Sequence, residues 1–256
     1  MCKSIMEILD PSLKERLWHA MRRDLASYIP QLRGNALLMC CACGRFLPQE
    51  HFSLEHIIPK QALAEQPAEV RKLLTANQRS GNILLCTKPL KIRGRVVYQN
   101  GCNSWKGRYY DTLIREVLNG TTLRNPRRRV SNQTIIALLC MGYIAMVSRF
   151  GYRIALTEAG ILCRRQFFMP NKFHPSMPLR FQFVIMAPPI QFELEHLPWW
   201  ETPFTLEVTE DSCIFAIRSF GLHLPISRNP ETPITKHVLF VPAKYTLRPD
   251  FSTMFE

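Results

Sequence analysis

Acidic side chains are scarce in this chain. Asp and Glu number 20 against 33 Lys and Arg in 256 residues, a formal net charge of +13 at pH 7 with histidine neutral. That balance excludes an acidic, solvating chain; the 46% apolar content excludes a disordered one. Long apolar runs are missing as well. The most apolar stretch, Thr134 to Val147, is 14 residues long. Spanning a bilayer takes roughly 20, so the stretch reads as a buried helix and no membrane partner is expected. The opening residues, MCKSIMEILD, lack the apolar core of a secretory signal, which leads to an expectation of a soluble, cytoplasmic protein. No internal repeat and no low-complexity tract is present, which excludes solenoids and compositionally biased tails. The nine cysteines are odd in number and too sparse for a secreted disulfide scaffold.

What is present is unevenly spread. Residues 1–130 hold 22 Lys/Arg against 10 Asp/Glu, whereas residues 131–256 hold 11 against 10. A basic half points to a polyanionic partner, nucleic acid being the commonest. Leu13, Leu17, Met21 and Leu25 recur at four-residue spacing, so an amphipathic helix is expected from Pro11 to about Ile29, ended by Pro30. A short helix is expected over Ala68–Leu74. Another should start near Cys102 and run through Asp111–Leu118, stopped by Asn119-Gly120. The NPRRR segment at 125–129 reads either as a solvated linker or as a phosphate-contacting strap. The buried helix covers 132–149, and a shorter one is expected over Gly160–Phe168. Beyond Arg180 the pattern turns to short β-branched and aromatic runs, Phe181–Ala187, Phe204–Thr209, Cys213–Arg218 and His237–Pro242, which read as an antiparallel β-rich region.

Five cysteines cluster in residues 40–102. Cys40 and Cys43 have the C-x2-C spacing that lets two thiolates converge on one zinc ion, with Gly44 relaxing the turn. Cys41 is a poorer partner for Cys43, since C-x-C spacing suits a tetrahedron less well. Cys86 and Cys102 would complete a four-cysteine structural zinc site; the competing reading makes Cys86 a buried core thiol. Between them lie 15 residues, TKPLKIRGRVVYQNG, carrying Lys88, Lys91, Arg93 and Arg95. The insert reads as a basic β-hairpin whose ends the metal holds together. Cys140, inside the apolar helix, reads as a small core residue.

The segments FSLEHIIPK, GNILLC and CNSWKG, in that order after C-x2-C-G, resemble the HNH endonuclease family. The resemblance covers about residues 37–111. It implies a ββα-metal core, a two-stranded hairpin followed by a helix, with one catalytic divalent cation, Mg²⁺ or another, between them. In that pattern His56 is the general base, a role a neutral imidazole can fill near neutral pH. Glu55 and Asn103 hold the cation, Asn82 braces the loop and orients His56, and Lys106, three residues beyond Asn103, contacts phosphate or developing charge. Competing readings make Asn82 a turn residue and Lys106 a surface lysine. Lys91, Arg93, Arg95, Lys106 and Arg108 are the expected nucleic-acid contacts. The 15-residue insert departs from the family pattern. A second Glu-His pair, Glu195-His196, has no such surroundings.

The segment Cys140–Leu156 is similar to a helix that follows such fingers in bacterial HNH proteins, including ones acting in phage defence. Trp199-Trp200 reads as the sealed edge of a β domain or as a contact patch. The expectation is thus an α+β protein. It comprises an N-terminal helix (1–36), a nuclease domain (37–120) with structural Zn²⁺ and a catalytic divalent cation, and a C-terminal extension (121–256). The extension would hold a buried helix and a β-rich region able to bind a protein partner. The function implied is phosphodiester hydrolysis, of DNA before RNA. The rivals are a non-catalytic zinc module that only binds nucleic acid, and a partner-activated subunit of a larger complex.

Overall fold

Elements pack in the order the hydrophobic pattern dictates, with helices around several small antiparallel sheets. The computed structural model describes residues 11–66, 68, 81–92, 95–119, 131–175, 182–185, 204–208, 212–217 and 220–225. Arg93, the NPRRR segment, Trp199-Trp200, most of 68–74 and the expected strand at His237–Pro242 lie outside these residues. The architecture is α+β.

Helix α1 (Pro11–Tyr28) follows the four-residue apolar spacing and ends before Pro30. It buries Leu25 and also Trp18, whose ring packs on Phe52 at 5.5 Å between centroids. Strands β1 (Leu38–Met39) and β2 (Phe46–Leu47) form a two-residue ladder around the C-x2-C turn. Strand β3 (Phe52–His56) pairs antiparallel with β4 (Asn82–Cys86), setting Phe52 opposite Cys86 and His56 opposite Asn82. A short helix α2 (Lys60–Ala64) follows β3 directly. The sequence reading passed over it, although Pro59 leads straight into good helix formers. The insert does form a hairpin, β5 (Leu90–Ile92) with β6 (Arg95–Tyr98). Helix α3 (Gly101–Lys106) then runs through a π-helical turn (Gly107–Asp111) into α4 (Thr112–Leu118).

Helix α5 (Asn132–Phe150) is the core. Ser131 caps it by accepting the Thr134 N–H, and residues 134–147 are all buried. It is the helix among the described residues long and apolar enough to cross a membrane, but 78% of its most apolar window is buried inside the protein. Each fully buried Leu, Ile or Met contributes about 1.5–3 kcal/mol relative to exposure, so this helix organises the fold. Helices α6 (Tyr152–Ala155) and α7 (Glu158–Gln166) fold back on it, α7 beginning two residues before the expected Gly160. Strands β7 (Gln182–Ile185), β8 (Phe204–Val208), β9 (Ser212–Ile217) and β10 (Phe220–Pro225) form one antiparallel sheet in the order β7-β10-β9-β8. The sequence reading missed β10, because Gly221, His223 and Pro225 mask the alternation of Phe220, Leu222 and Leu224.

Hydrogen bonds tie the C-terminal helices to the cysteine-bearing loop. The Tyr143 hydroxyl donates to the Cys41 carbonyl at 2.7 Å, and the Tyr152 hydroxyl donates to the Met39 carbonyl. The Trp105 indole and the Tyr110 hydroxyl both donate to the Phe167 carbonyl, at 2.8 and 2.6 Å. These contacts cross the boundary expected at 120.

Candidate metal centre and adjoining cleft

The C-x2-C turn closes by two backbone bonds, Gly44 N–H to the Cys40 carbonyl at 2.7 Å and Cys40 N–H to the Arg45 carbonyl at 2.9 Å. Gly44 takes φ +72°, which an L side chain adopts only at a cost. Cys102 arrives from the first turn of α3, where Gly101 sits at φ +74° against the end of β4. A Cβ on Gly101 would lie 2.4–2.5 Å from the Thr87 backbone and the Cys86 carbonyl, so only glycine permits this approach.

The outcome is a cluster of three sulfurs, Cys40, Cys43 and Cys102, mutually within 4.8 Å. Cys86 is outside that mutual set, yet its thiol interacts with those of Cys43 and Cys102. Cys41, buried with its thiol pushed up to about 12 by desolvation, is not part of the cluster. Thiolates about 2.3 Å from a tetrahedral zinc ion lie roughly 3.8 Å apart, so this donor set fits one metal ion. The electrostatics point the same way. Hydrogen bonds from Cys102, then Cys40 and Cys86, hold Cys43 far below the ordinary thiol value, with Arg45 adding to them. The Cys102 thiol is raised by its bonds to Cys40, Cys43 and Cys86, and Cys40 is raised by burial. For Cys86 the bond from Cys102 pulls down, and the Cys43 charge together with burial outweighs it. Thiols that oppose each other's ionisation at one buried point become compatible when a cation neutralises them.

Arg45 is a residue the sequence reading did not single out. Its Nε donates to Cys43 Sγ at 3.3 Å and its Nη2 to Cys86 Sγ at 3.1 Å. The same guanidinium donates to the Pro89 and Lys88 carbonyls at 2.8 and 2.9 Å. One side chain therefore neutralises sulfur charge and fixes the base of the β5–β6 hairpin. Lys91 and Arg95 are exposed on that hairpin. Arg108, also exposed, lies over the Tyr98 and Tyr109 rings at 6.0 and 5.5 Å.

Beside the cluster, β3 ends in Glu55 and His56, and both line an open cleft of about 350 Å³ with Pro59, Lys60, Gln61, Gly107, Asp111 and Thr112. Burial pushes the Glu55 carboxyl up, partly offset by Lys106. Burial, then Lys60 and Lys106, hold the His56 imidazole below its ordinary value, so it is neutral near pH 7. Asn82 stands opposite His56 across the ladder, and its Oδ1 is buried without a hydrogen-bond partner among the described residues. Helix α3 packs on β4 and reaches β3 through two side chains. Asn103 donates to Ser53 Oγ at 2.8 Å and to the Leu54 carbonyl at 3.1 Å, and Lys106 reaches Glu55 one helical turn later.

Two placements differ from the sequence reading. Asn103 spends its amide nitrogen on β3 and is not among the residues lining the cleft. Lys106 is neither a surface lysine nor free for phosphate. It is 1% exposed and donates to Glu55 Oε1 at 2.7 Å and Asp111 Oδ1 at 2.6 Å. Its aliphatic stem is covered by the fold while two carboxylates hold its head. The sequence reading placed Asp111 in this helix and gave it no role at the site. The chain matches no protein-family model, no curated protein and no solved structure.

Proposed function

We propose that this chain is a metal-dependent HNH endonuclease that hydrolyses phosphodiester bonds, of DNA first, around a structural zinc held by Cys40, Cys43, Cys102 and Cys86. The observation that carries this reading is the shared cleft. Glu55 and His56 are neighbours at the end of β3, both line it, and Asn103 ties α3 to that strand. His56, kept neutral, takes a proton from the attacking water at an imidazole nitrogen. Asn82, opposite it on the same face of the ladder, has a carbonyl oxygen without a hydrogen-bond partner among the described residues, suited to orienting the ring. Glu55 would hold a divalent cation such as Mg²⁺ from within the cleft, and Asn103, its amide nitrogen tied to β3, would offer only its Oδ1 from beside it; bound there, the cation would stabilise charge on the phosphate and on the leaving oxygen. Lys91, Arg95 and Arg108 are exposed cations that suit the phosphate backbone.

A second reading is a zinc-containing nucleic-acid binder without catalysis. It is favoured by one fact, that Lys106 already occupies Glu55. Plasmid cleavage by wild type and His56→Ala, each with Mg²⁺ and with EDTA, separates the two. Nicking that needs Mg²⁺ and His56 is expected. Cleavage persisting in His56→Ala refutes the base assignment, and binding without cleavage by the wild type supports the second reading.

A further inference from the structure

We propose that Asp111 is a positioning residue that sets the cation affinity of the cleft, by sharing the Lys106 ammonium with Glu55. This rests on the reading of the cleft as a cation site. Residues five apart on an α-helix point about 140° away from each other, so Lys106 and Asp111 would not normally meet. The π-helical turn over Gly107–Asp111 wraps an extra residue and returns them to one face, where Lys106 Nζ and Asp111 Oδ1 are 2.6 Å apart. Such turns are uncommon, and this one falls where the helix borders the cleft: Gly107, Asp111 and Thr112 all line it.

The consequence is electrostatic. Glu55 alone with Lys106 would be a neutral pair offering little to a divalent ion. With Asp111 the group carries a net charge of −1 beside an open cleft, and Lys106 meets Glu55 through Oε1 only. The other carboxylate oxygen makes no hydrogen bond among the described residues and is left for a ligand. Asp111 therefore draws the ammonium aside and supplies the negative charge that Lys106 cancels.

The test is Mn²⁺ binding to the zinc-loaded full chain, followed by the electron paramagnetic resonance signal of free Mn²⁺. Glu55→Gln is the reference for the site. Asp111→Asn keeps the shape and an oxygen acceptor for Lys106 but removes the charge, and should weaken binding about tenfold or more. Asp111→Asn combined with Lys106→Met restores the net charge of −1 and should return affinity to within about threefold of wild type. A merely structural aspartate predicts no such restoration. Unchanged affinity in Asp111→Asn, or a double variant as weak as the single one, overturns the proposal while leaving the site reading intact. Wild-type binding insensitive to Glu55→Gln removes the cation site itself, and the proposal with it. Should Asp111→Asn fail to fold, Lys106→Met carries the test at low temperature, its fold confirmed by circular dichroism: tighter Mn²⁺ binding is expected, and equal or weaker binding by the folded variant overturns the proposal.

Discussion

Replacing Gly101 with alanine strikes the point where the two halves of the cysteine cluster meet. At φ +74° an L residue costs about 1–2 kcal/mol more than glycine. The added methyl would also sit 2.4 Å from the Thr87 carbonyl carbon and 2.5 Å from the Cys86 carbonyl oxygen, and backbone cannot rotate away as a side chain can. Forced repacking of that kind costs roughly 1–3 kcal/mol, for a total near 3 kcal/mol. In a chain of this size that corresponds to a fall in melting temperature of about 6–12 °C. Gly34 supplies the control. It has φ +82°, and a Cβ added there would meet nothing within 4 Å, so Gly34→Ala should bear only the conformational cost, about 2–8 °C. Calorimetry of both variants, with the metal content of each, makes the comparison. Gly101→Ala should melt well below Gly34→Ala and hold less metal, because relief of the overlap moves Cys86 and Cys102 apart. Equal melting temperatures and full metal content in both would refute the close approach and the role assigned to it.

Two further outcomes follow from the same geometry. Arg45→Met should release a metal ion loaded on the cysteine cluster to a chelator about 10- to 100-fold more readily, with Arg45→Lys intermediate because one ammonium cannot reach two sulfurs and two carbonyls; wild-type release rates in both would sink the charge-balancing role. Lys106→Met leaves Glu55, 8% exposed, without its cation and should cost about 3–5 kcal/mol at pH 8. Burial already raises the Glu55 value in the folded protein, and loss of Lys106 raises it further. The penalty is therefore absent below the unfolded value of about 4.3 and grows as pH rises through the folded one, so the deficit against wild type should be smaller at pH 5 than at pH 8. A deficit that does not change with pH, followed by thermal unfolding, would contradict the pairing.

What the sequence made legible was local. The C-x2-C turn, the Glu55-His56 pair at the end of a strand, the hairpin in the insert and the buried helix all depend on spacing within one or two turns of chain. Residues whose roles arise from long-range packing were harder to read. Lys106 resembles any lysine on a helix until Glu55, 51 positions away, is brought against it. Asp111 was hidden because a π-helical turn breaks the 3.6-residue period on which face assignments rest. Arg45 follows Gly44 with no pattern of its own, and its four acceptors come together only when β4 and the insert fold over it.

The tyrosine bonds to the cysteine loop also bear on the order of folding. Tyr143 and Tyr152 reach carbonyls 102 and 113 residues earlier in the chain. During synthesis the C-x2-C loop therefore emerges long before the hydroxyls that satisfy its buried carbonyls. Closing loops of that length adds entropic cost and slows folding relative to local contacts. Until α5 and α6 arrive, those carbonyls have only water as a partner. Completion of the loop's hydrogen bonding thus waits on α5 and α6, which the cysteines alone cannot supply.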